Sequence, residues 1–343
     1  MKKELPLGKL PVELLARLLS QAPISDPAVL LKPAPGLDCA VVDYGPNLLV
    51  LKSDPITFVA DEIGWYLVQV TCNDLATCGA QPRWMLVTAL FPGEKTTPIL
   101  VDHIADQLFS ACREEGISVI GGHTEITHGL DRPILVGTLI GEVSREKLVT
   151  PRGAKPGDLI LLTKSIPIEA TAIIARELPD KLAGILSADE LAQAREYIRK
   201  PGIGISKEAQ IAISSGRVNA MHDPTEGGLT AALWELADAC SCSLIVNLGE
   251  VPITDLSKRM CAVVGIDPYA AIASGALLLT ASASEAEKIR SAIQAQEIEC
   301  HLIGRVVDGA PAVWNETSGG LKPLPRPARD EIARLFEEAG RTM

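Results

Sequence analysis

Residues 64–82 read GWYLVQVTCNDLATCGAQP, an apolar stretch that carries a single carboxylate, Asp74. The pattern predicts a helix over residues 64–78 that is apolar nearly all round. On a helical wheel the aspartate is surrounded by Leu67, Val70, Leu75 and Cys78. Burying an unpaired carboxylate costs several kcal/mol, so Asp74 needs a cation, a network of donors or an opening to water. The alternative is a core hydrogen-bond acceptor or a cap.

Two further aspartates are predicted at strand ends. Asp38 follows Gly36 at the mouth of one strand, and Asp54 closes the next strand just before Pro55. Mg²⁺ prefers oxygen ligands and is commonly held by few carboxylates plus the phosphates of its substrate, which suits aspartates from separate elements. The alternative is that each aspartate only caps a turn.

The segment GGHTE, residues 121–125, follows an apolar strand. Glycines let backbone N–H groups approach a phosphate, so Gly121 and Gly122 are candidates for a phosphate-binding loop. His123 is either a ligand or phosphate donor, or a histidine that is merely hydrogen-bonded.

A second glycine pair lies in HDPTEGG, which begins at His222. Asp223 and Glu226 fit a capping box at the start of a helix that runs to about residue 240. That interpretation leaves Gly227 and Gly228 unexplained, because glycines weaken a helix by up to about 1 kcal/mol each. Another backbone or a ligand is therefore expected to come close to them.

The order of predicted elements indicates an α+β protein of two domains, because 343 residues exceed one ordinary core. The turn-rich segment at residues 151–157 places the boundary. We predict domains at residues 1–150 and 151–320, followed by a helical tail at residues 321–343. Predicted strands cover residues 39–42, 48–51, 83–91, 117–120, 134–143, 159–163, 218–221, 244–247, 276–281, 300–307 and 312–314. Predicted helices cover residues 64–78, 97–115, 169–177, 188–199, 205–215, 224–240, 285–296 and 329–339.

Composition narrows the classes of protein that this chain can belong to. Hydrophobic residues make up 47% and aromatic residues 3%, so an aliphatic core in which helices cover sheets is expected. The net charge of −11 disfavours nucleic acid, although divalent cations could still bridge carboxylates to a nucleotide. No segment has the roughly 20 apolar residues of a membrane span, and we expect a cytoplasmic protein. The eight dispersed cysteines are predicted to be buried and free of disulfides.

Taken in order, these motifs resemble the AIR synthase (PurM-like) superfamily. The resemblance runs from about residue 36 to residue 305 and rests on GLDCAVV, LKSDP, CNDLATCGAQP, GGHTE, PRGAKPGDLILLTK, HDPTEGGL and ASGALLL. It implies an N-terminal domain that forms a homodimer through a shared β-barrel, and a C-terminal α/β sandwich. It also implies that ATP and Mg²⁺ bind between the two domains.

The resemblance also implies functional residues. The expected magnesium ligands are Asp38, Asp54, Asp74 and Asp223, and the expected catalytic residues are Asp74, His123 and Asp223. Contacts to the nucleotide are expected from Asp38, Lys52, Asp54, Asn73, Gly121, Gly122, Thr124, Glu125, Gly227 and Gly228. Lys164 is a further candidate for a phosphate partner, the alternative being a surface lysine.

Within the superfamily the nearest resemblance is to the hydrogenase maturation protein HypE, through SDPITF and GGHTEIT. HypE proteins end in a cysteine that carries the group they dehydrate, whereas the last cysteine here is Cys300, so that tail chemistry is expected to be absent. Selenophosphate synthetases have a reactive cysteine or selenocysteine near the N-terminus, and residues 1–35 have no cysteine. Thiamine-monophosphate kinases have aspartate where His123 stands.

We therefore expect a HypE-like, ATP- and Mg²⁺-dependent enzyme that phosphorylates or activates an oxygen of a small-molecule or protein-bound substrate. A phosphotransferase like thiamine-monophosphate kinase or selenophosphate synthetase is one alternative. A catalytically inactive nucleotide-binding scaffold with a partner in a maturation complex is another.

Overall fold

The computed structural model describes residues 5, 8–57 and 61–338, which fall into two compact units. The N-terminal unit consists of residues 24–33 and 38–148. The C-terminal unit consists of the described residues of 1–23, 34–37 and 149–342, so helix α1 (Val12–Leu19) belongs to it. Residues 339–343 of the predicted tail lie outside the described residues.

The N-terminal unit contains a six-stranded sheet and two long helices. Its elements are β1 (Val29–Leu31), β2 (Ala40–Asp43), β3 (Leu48–Ile56), α2 (Ile63–Thr77), β4 (Gln81–Pro92), α3 (Pro98–Glu114), β5 (Ser118–Thr127) and β6 (Ile134–Val143). The strand order is β1-β2-β3-β6-β4-β5, with β4 and β5 parallel and the other neighbours antiparallel. Helix α2 packs on β3 and β6.

Helix α2 is buried along its whole length except at Val70, as its apolar pattern predicted. Two glycines of β6 make room for it. A Cβ atom at Gly137 would lie 3.0 Å from Leu67 Cγ, and a Cβ atom at Gly141 would lie 2.6 Å from Leu75 Cδ2 and from the Gln81 carbonyl oxygen. The helix that carries Asp74 is therefore seated directly against the sheet.

The GGHTE segment lies within strand β5, so the expectation of a glycine loop at Gly121, Gly122 and Thr124 is wrong. Pairing with β4 shifts register beside Met85, which leaves an extra residue in β5 just before the glycine pair. A Cβ atom at Gly122 would lie 1.8 Å from the carbonyl oxygen of Val87 on β4. The close approach that requires glycine here is to a neighbouring strand.

The C-terminal unit is built on a seven-stranded sheet. After helix α1, its elements are β7 (Leu159–Thr163), α4 (Ile168–Glu177), α5 (Pro179–Leu182), α6 (Ala188–Arg195), α7 (Ser206–Ser215), β8 (Ala220–His222), α8 (Gly228–Cys240), β9 (Ser243–Val246), α9 (Asp255–Val264), β10 (Leu278–Ala281), α10 (Ala283–Gln294), β11 (Cys300–Val307), β12 (Ala312–Thr317), β13 (Gly320–Pro323) and α11 (Glu331–Glu338). The strand order is β13-β12-β9-β11-β7-β10-β8.

The cores contain mainly aliphatic side chains, and all eight cysteines are free, as the composition predicted. Helices α1, α5 and α9 and strands β1 and β13 were not predicted. Strand β13 pairs with β12 as a hairpin, so residues 321–323 of the predicted tail belong to the C-terminal sheet. No helix within the described residues is long and apolar enough to cross a bilayer.

We predict that Gly141→Ala destabilises the N-terminal unit, because its methyl group would meet both Leu75 and the Gln81 backbone at 2.6 Å. The expected loss in the free energy of unfolding is about 1–3 kcal/mol, measured by urea denaturation. The matched control is Gly93→Ala, whose new methyl group has its nearest contact at 3.5 Å. Equal stability of the two variants would contradict this account of how α2 is seated.

Candidate functional site

Three predicted residues of the N-terminal unit come together around one ammonium group. Lys52 and Asp54 project from the same face of β3, because they are two residues apart on a strand. The Lys52 Nζ atom lies 3.0 Å from Asp74 Oδ1 and 3.6 Å from Asp54 Oδ1. The prediction that Asp54 ends its strand is wrong, since β3 continues to Ile56. We call Lys52, Asp54 and Asp74 the Lys52 cluster.

The Lys52 cluster is largely withdrawn from water. The exposed fractions of the side chains are 17% for Lys52, 28% for Asp54 and 5% for Asp74. Burial alone would lower the pKa of Lys52, but the negative charges of Asp74, Asp54 and Asp38 outweigh it and hold that pKa well above its ordinary value. The ammonium group is therefore permanently charged, and the field of Asp38 reaches it as well.

The end of helix α2 is fixed by hydrogen bonds to the Asp74 carbonyl oxygen. The Cys39 Sγ atom donates to it at 3.3 Å and the Thr77 Oγ1 atom at 2.7 Å. Burial raises the pKa of the Cys39 thiol well above its ordinary value, so it remains a neutral donor. Asn73, a predicted nucleotide contact, is buried in the same turn. These contacts fix the backbone at Asp74, whose carboxylate lies 3.0 Å from Lys52 Nζ.

The structure does not gather the GGHTE residues into the Lys52 cluster. Strand β5 is separated from β3 by β6 and β4, which is about 14 Å at the usual strand spacing. His123 and Glu125 lie on the exposed strand, with 3.4 Å between His123 Nε2 and Glu125 Oε2. The roles predicted for Gly121, Gly122, His123, Thr124 and Glu125 stay predictions.

In the C-terminal unit the HDPTEGG motif forms a tight turn between β8 and α8, and the predicted capping box is wrong. Helix α8 begins at Gly228, its N-cap is Gly227 in a left-handed conformation, and no side chain caps it. A Cβ atom at Gly228 would lie 2.6 Å from the carbonyl oxygens of Tyr269 and Ala271. The glycine pair is thus required by another backbone, one of the two reasons expected from the sequence.

Several side chains hold this turn, in which Asp223 is buried. The His222 Nε2 and Glu235 Oε2 atoms are 2.8 Å apart. The Lys9 Nζ atom donates to Thr225 Oγ1 at 3.2 Å and forms ion pairs with Glu226 and Glu235. The turn borders a cavity of about 340 Å³ within the C-terminal unit. The magnesium and catalytic roles predicted for Asp223 stay predictions.

Lys164 is not a surface lysine, because only 10% of its side chain is exposed, and its role as a phosphate partner stays a prediction. Its Nζ atom lies 2.6 Å from Glu208 Oε1 and donates to the carbonyl oxygens of Gly202 at 3.2 Å and Gly204 at 2.6 Å. The ammonium group thus has one ion pair and two hydrogen bonds to backbone carbonyl groups. Lys164 therefore fixes the backbone at residues 202–204.

Glu169 is a buried carboxyl group that the sequence reasoning missed. It lies in the first turn of α4 and is 4% exposed, and its Oε2 atom has no hydrogen-bond partner among the described residues. Burial, with a smaller contribution from the charges of Glu226 and Asp330, raises its pKa to about 7 even though Ser274 hydrogen-bonds to it. The signal in the sequence was a lone glutamate in the apolar run IPIEATAII.

We predict that Glu169→Gln stabilises the protein increasingly as the pH rises. The pKa of this carboxyl group is raised from 4.5 to about 7 on folding, so between these values ionisation favours the unfolded chain. The free energy of unfolding of the variant, relative to wild type, should increase by about 2–3 kcal/mol between pH 5 and pH 8. Urea denaturation across this range measures it, with the exposed Glu114→Gln as the matched control. A difference that does not change with pH would contradict the prediction.

The sequence also matches known proteins. Among curated proteins it is 26% identical to a putative hydrogenase expression/formation protein of Methanocaldococcus jannaschii, over 87% of this chain and 88% of that protein. It is 25% identical to carbamoyl dehydratase HypE of Cupriavidus necator, over 82% of this chain and 78% of that protein.

Solved structures share the fold. HypE in complex with ATP superposes with a TM-score of 0.69 and 22% identity, covering 91% of this chain and 90% of that one. A thiamine monophosphate kinase-type protein, AaThiL complexed with AMPPCP and TMP, gives a TM-score of 0.70 and 20% identity, covering 93% and 95%. At these identities the likeness shows the fold alone, and it confirms the predicted two-domain α+β architecture. The shared barrel of a dimer stays a prediction.

Two family models match in chain order. The model for the AIR synthase related protein, N-terminal domain, covers residues 36–143, and the model for the C-terminal domain of the same family covers residues 155–314. Together they account for most of the chain, including the Lys52 cluster and the HDPTEGG turn. The chain belongs to the AIR synthase related protein family.

Proposed function

We propose that this protein is an ATP- and Mg²⁺-dependent enzyme that phosphorylates or otherwise activates an oxygen atom of a small-molecule or protein-bound substrate. The single observation that carries the proposal is the Lys52 cluster, in which carboxylates from β3 and α2 face one cationic group. The family supports it, since a relative is named carbamoyl dehydratase and a HypE of the same fold has been solved with ATP.

The chemistry of the Lys52 cluster fits a magnesium–nucleotide complex. Asp54 and Asp74 offer carboxylate oxygens, the ligands that Mg²⁺ prefers, and Asp38 adds its charge to the same place. A cationic group already lies between the two carboxylates, so the site is electrostatically suited to positive charge. When bound, Mg²⁺ would neutralise the charge of the triphosphate.

The protein's own contribution is to hold the carboxylates and the ammonium group in fixed positions. Asp74 is held by a buried helix, and Lys52 and Asp54 are held by a central strand, so the carboxylates are preorganised before a ligand arrives. The Lys52 ammonium supplies a donor for a phosphate oxygen. Phosphoryl transfer depends mainly on such positioning and charge neutralisation, with little covalent chemistry required of the protein.

Cys300 is not the carrier of the substrate in this proposal. It is buried in β11, and burial raises the pKa of its thiol to about 12. A thiol in that state neither ionises near neutral pH nor is exposed to a ligand, so Cys300 is unsuited to carry the group to be activated.

The function is tested by Asp74→Asn, which keeps the shape of the side chain and removes its charge. Calorimetry with ATP and Mg²⁺ and a phosphate-release assay against a panel of metabolites should show a loss of about 100-fold or more in turnover. The control is Asp255→Asn, whose side chain is 96% exposed. Turnover by Asp74→Asn equal to that of wild type would refute the magnesium assignment. Tight ATP binding by wild type without any phosphate release would indicate a nucleotide-responsive scaffold instead.

We further propose that the N-terminal unit forms a homodimer through strand β5. This strand lies at the edge of its sheet and exposes Ile120 by 55% and Ile126 by 60%. It borders an apolar groove of about 280 Å³ whose other wall is α3. Long apolar edge strands pair with further strands unless they are protected, so this edge is suited to a second copy of the chain.

Ile126→Glu should therefore convert a dimer into a monomer, because pairing would bury an uncompensated charge. Sedimentation velocity measures the change, and circular dichroism should show that the variant is folded. Tyr44→Glu, which alters an exposed side chain in the turn between β2 and β3, should leave the dimer intact. A dimer that persists in Ile126→Glu would exclude β5 as the interface.

A further inference from the structure

Lys52 holds a position that the proposed metal ion would need. Its Nζ atom is 3.0 Å from Asp74 Oδ1 and 3.6 Å from Asp54 Oδ1, so it lies between the two carboxylates. The side chain is 17% exposed and is directed by β3, whose pairing with β2 and β6 fixes its orientation. A positive charge that belongs to the chain itself therefore offsets part of the negative charge of these aspartates.

A magnesium ion would compete with this ammonium group for the same carboxylate oxygens. Mg²⁺ requires oxygen ligands at about 2.0–2.1 Å, and the Asp74 Oδ1 and Asp54 Oδ1 atoms that it would use already face Lys52 Nζ. Repulsion between the two cations adds to this competition, most of all where water is largely excluded. Binding of the metal to these oxygens is therefore favoured when the ammonium group moves away.

The lysine side chain is able to move. Its ammonium group is a compact point charge on a flexible stem of four methylene groups, unlike the planar guanidinium of arginine. The triphosphate of a nucleotide would offer the ammonium group new oxygen partners with a higher charge. The arrival of a nucleotide therefore gives Lys52 a reason to leave the carboxylates, which a metal ion alone does not.

We propose that Lys52 is an internal counter-ion that excludes divalent metal from the Asp54–Asp74 site until a nucleoside triphosphate arrives. The ammonium group then turns to a phosphate oxygen and leaves the carboxylates to the metal that accompanies the nucleotide. This inference rests on the proposed function and adds a rule of binding to it: metal and nucleotide bind as a pair. Because such coupling is reciprocal, each must raise the affinity for the other.

The first test measures Mn²⁺, a paramagnetic stand-in for Mg²⁺, by electron paramagnetic resonance without nucleotide. Lys52→Met keeps a flexible side chain of similar length and removes the charge. It should bind Mn²⁺ at least about tenfold more tightly than wild type. Lys147→Met, which alters an exposed lysine of the same unit, should match wild type. Equal Mn²⁺ affinity in Lys52→Met and wild type would overturn the inference and leave Lys52 a permanent structural ion pair.

A second measurement does not require Lys52→Met to fold. The Mn²⁺ binding curves of nucleotide-free wild type and Asp74→Asn should coincide, because the site is closed to metal in both. Wild type that binds Mn²⁺ about tenfold or more tightly than Asp74→Asn without nucleotide would overturn the inference.

The two proposals fail separately. Both Mn²⁺ measurements omit the nucleotide, so they do not depend on turnover. Turnover that requires Asp74, together with metal affinity that ignores Lys52, would leave the enzyme standing and remove the internal counter-ion. Metal exclusion by Lys52 without any binding of ATP would support the internal counter-ion and contradict the proposed enzyme.

Discussion

The ion pair between Lys52 and Asp74 is the interaction on which the function proposed for the N-terminal unit depends. A carboxylate that is 5% exposed needs compensation for its lost hydration, and the ammonium group at 3.0 Å contributes a charge of opposite sign. The helix that carries Asp74 is buried except at Val70, and it packs on a strand whose glycines, Gly137 and Gly141, leave room for Leu67 and Leu75. Helix packing and site electrostatics are therefore one constraint: moving the helix would separate the charges.

In the C-terminal unit, too, the close approach of two backbone segments determines where polar groups lie. Gly228 brings the start of α8 against the carbonyl groups of Tyr269 and Ala271, and Asp330 accepts a hydrogen bond from the Gly227 amide at 2.7 Å. This packing buries carboxyl groups together, so that the pKa of Asp330 is raised to about 6 by burial above all and that of Glu169 to about 7. Family membership explains why both units occur in one chain. The substrate has to be inferred from the side chains around each site.

The buried helix that carries Asp74 could be predicted from the sequence, because its apolar pattern indicates one, whereas the role of the aspartate itself had two interpretations. Other sequence signals also had two interpretations. Glycines at a bulge in a paired strand look the same as glycines in a phosphate loop, which misplaced GGHTE, and an Asp-Pro-x-Glu run fits both a capping box and the left-handed turn that precedes α8. Contacts between distant elements, such as Lys164 with Glu208 or Glu169 with Ser274, depend on tertiary packing that no local pattern encodes.

The account's central claim is that the carboxylates facing Lys52 bind the metal of a metal–nucleotide complex. Anomalous diffraction from crystals grown with Mn²⁺ and a non-hydrolysable ATP analogue tests it most directly. The account predicts an anomalous peak within about 2.1–2.3 Å of carboxylate oxygens of Asp54 and Asp74, with the Lys52 ammonium on a phosphate oxygen. A peak remote from both aspartates, with the Lys52–Asp74 ion pair unchanged beside a bound nucleotide, would contradict it.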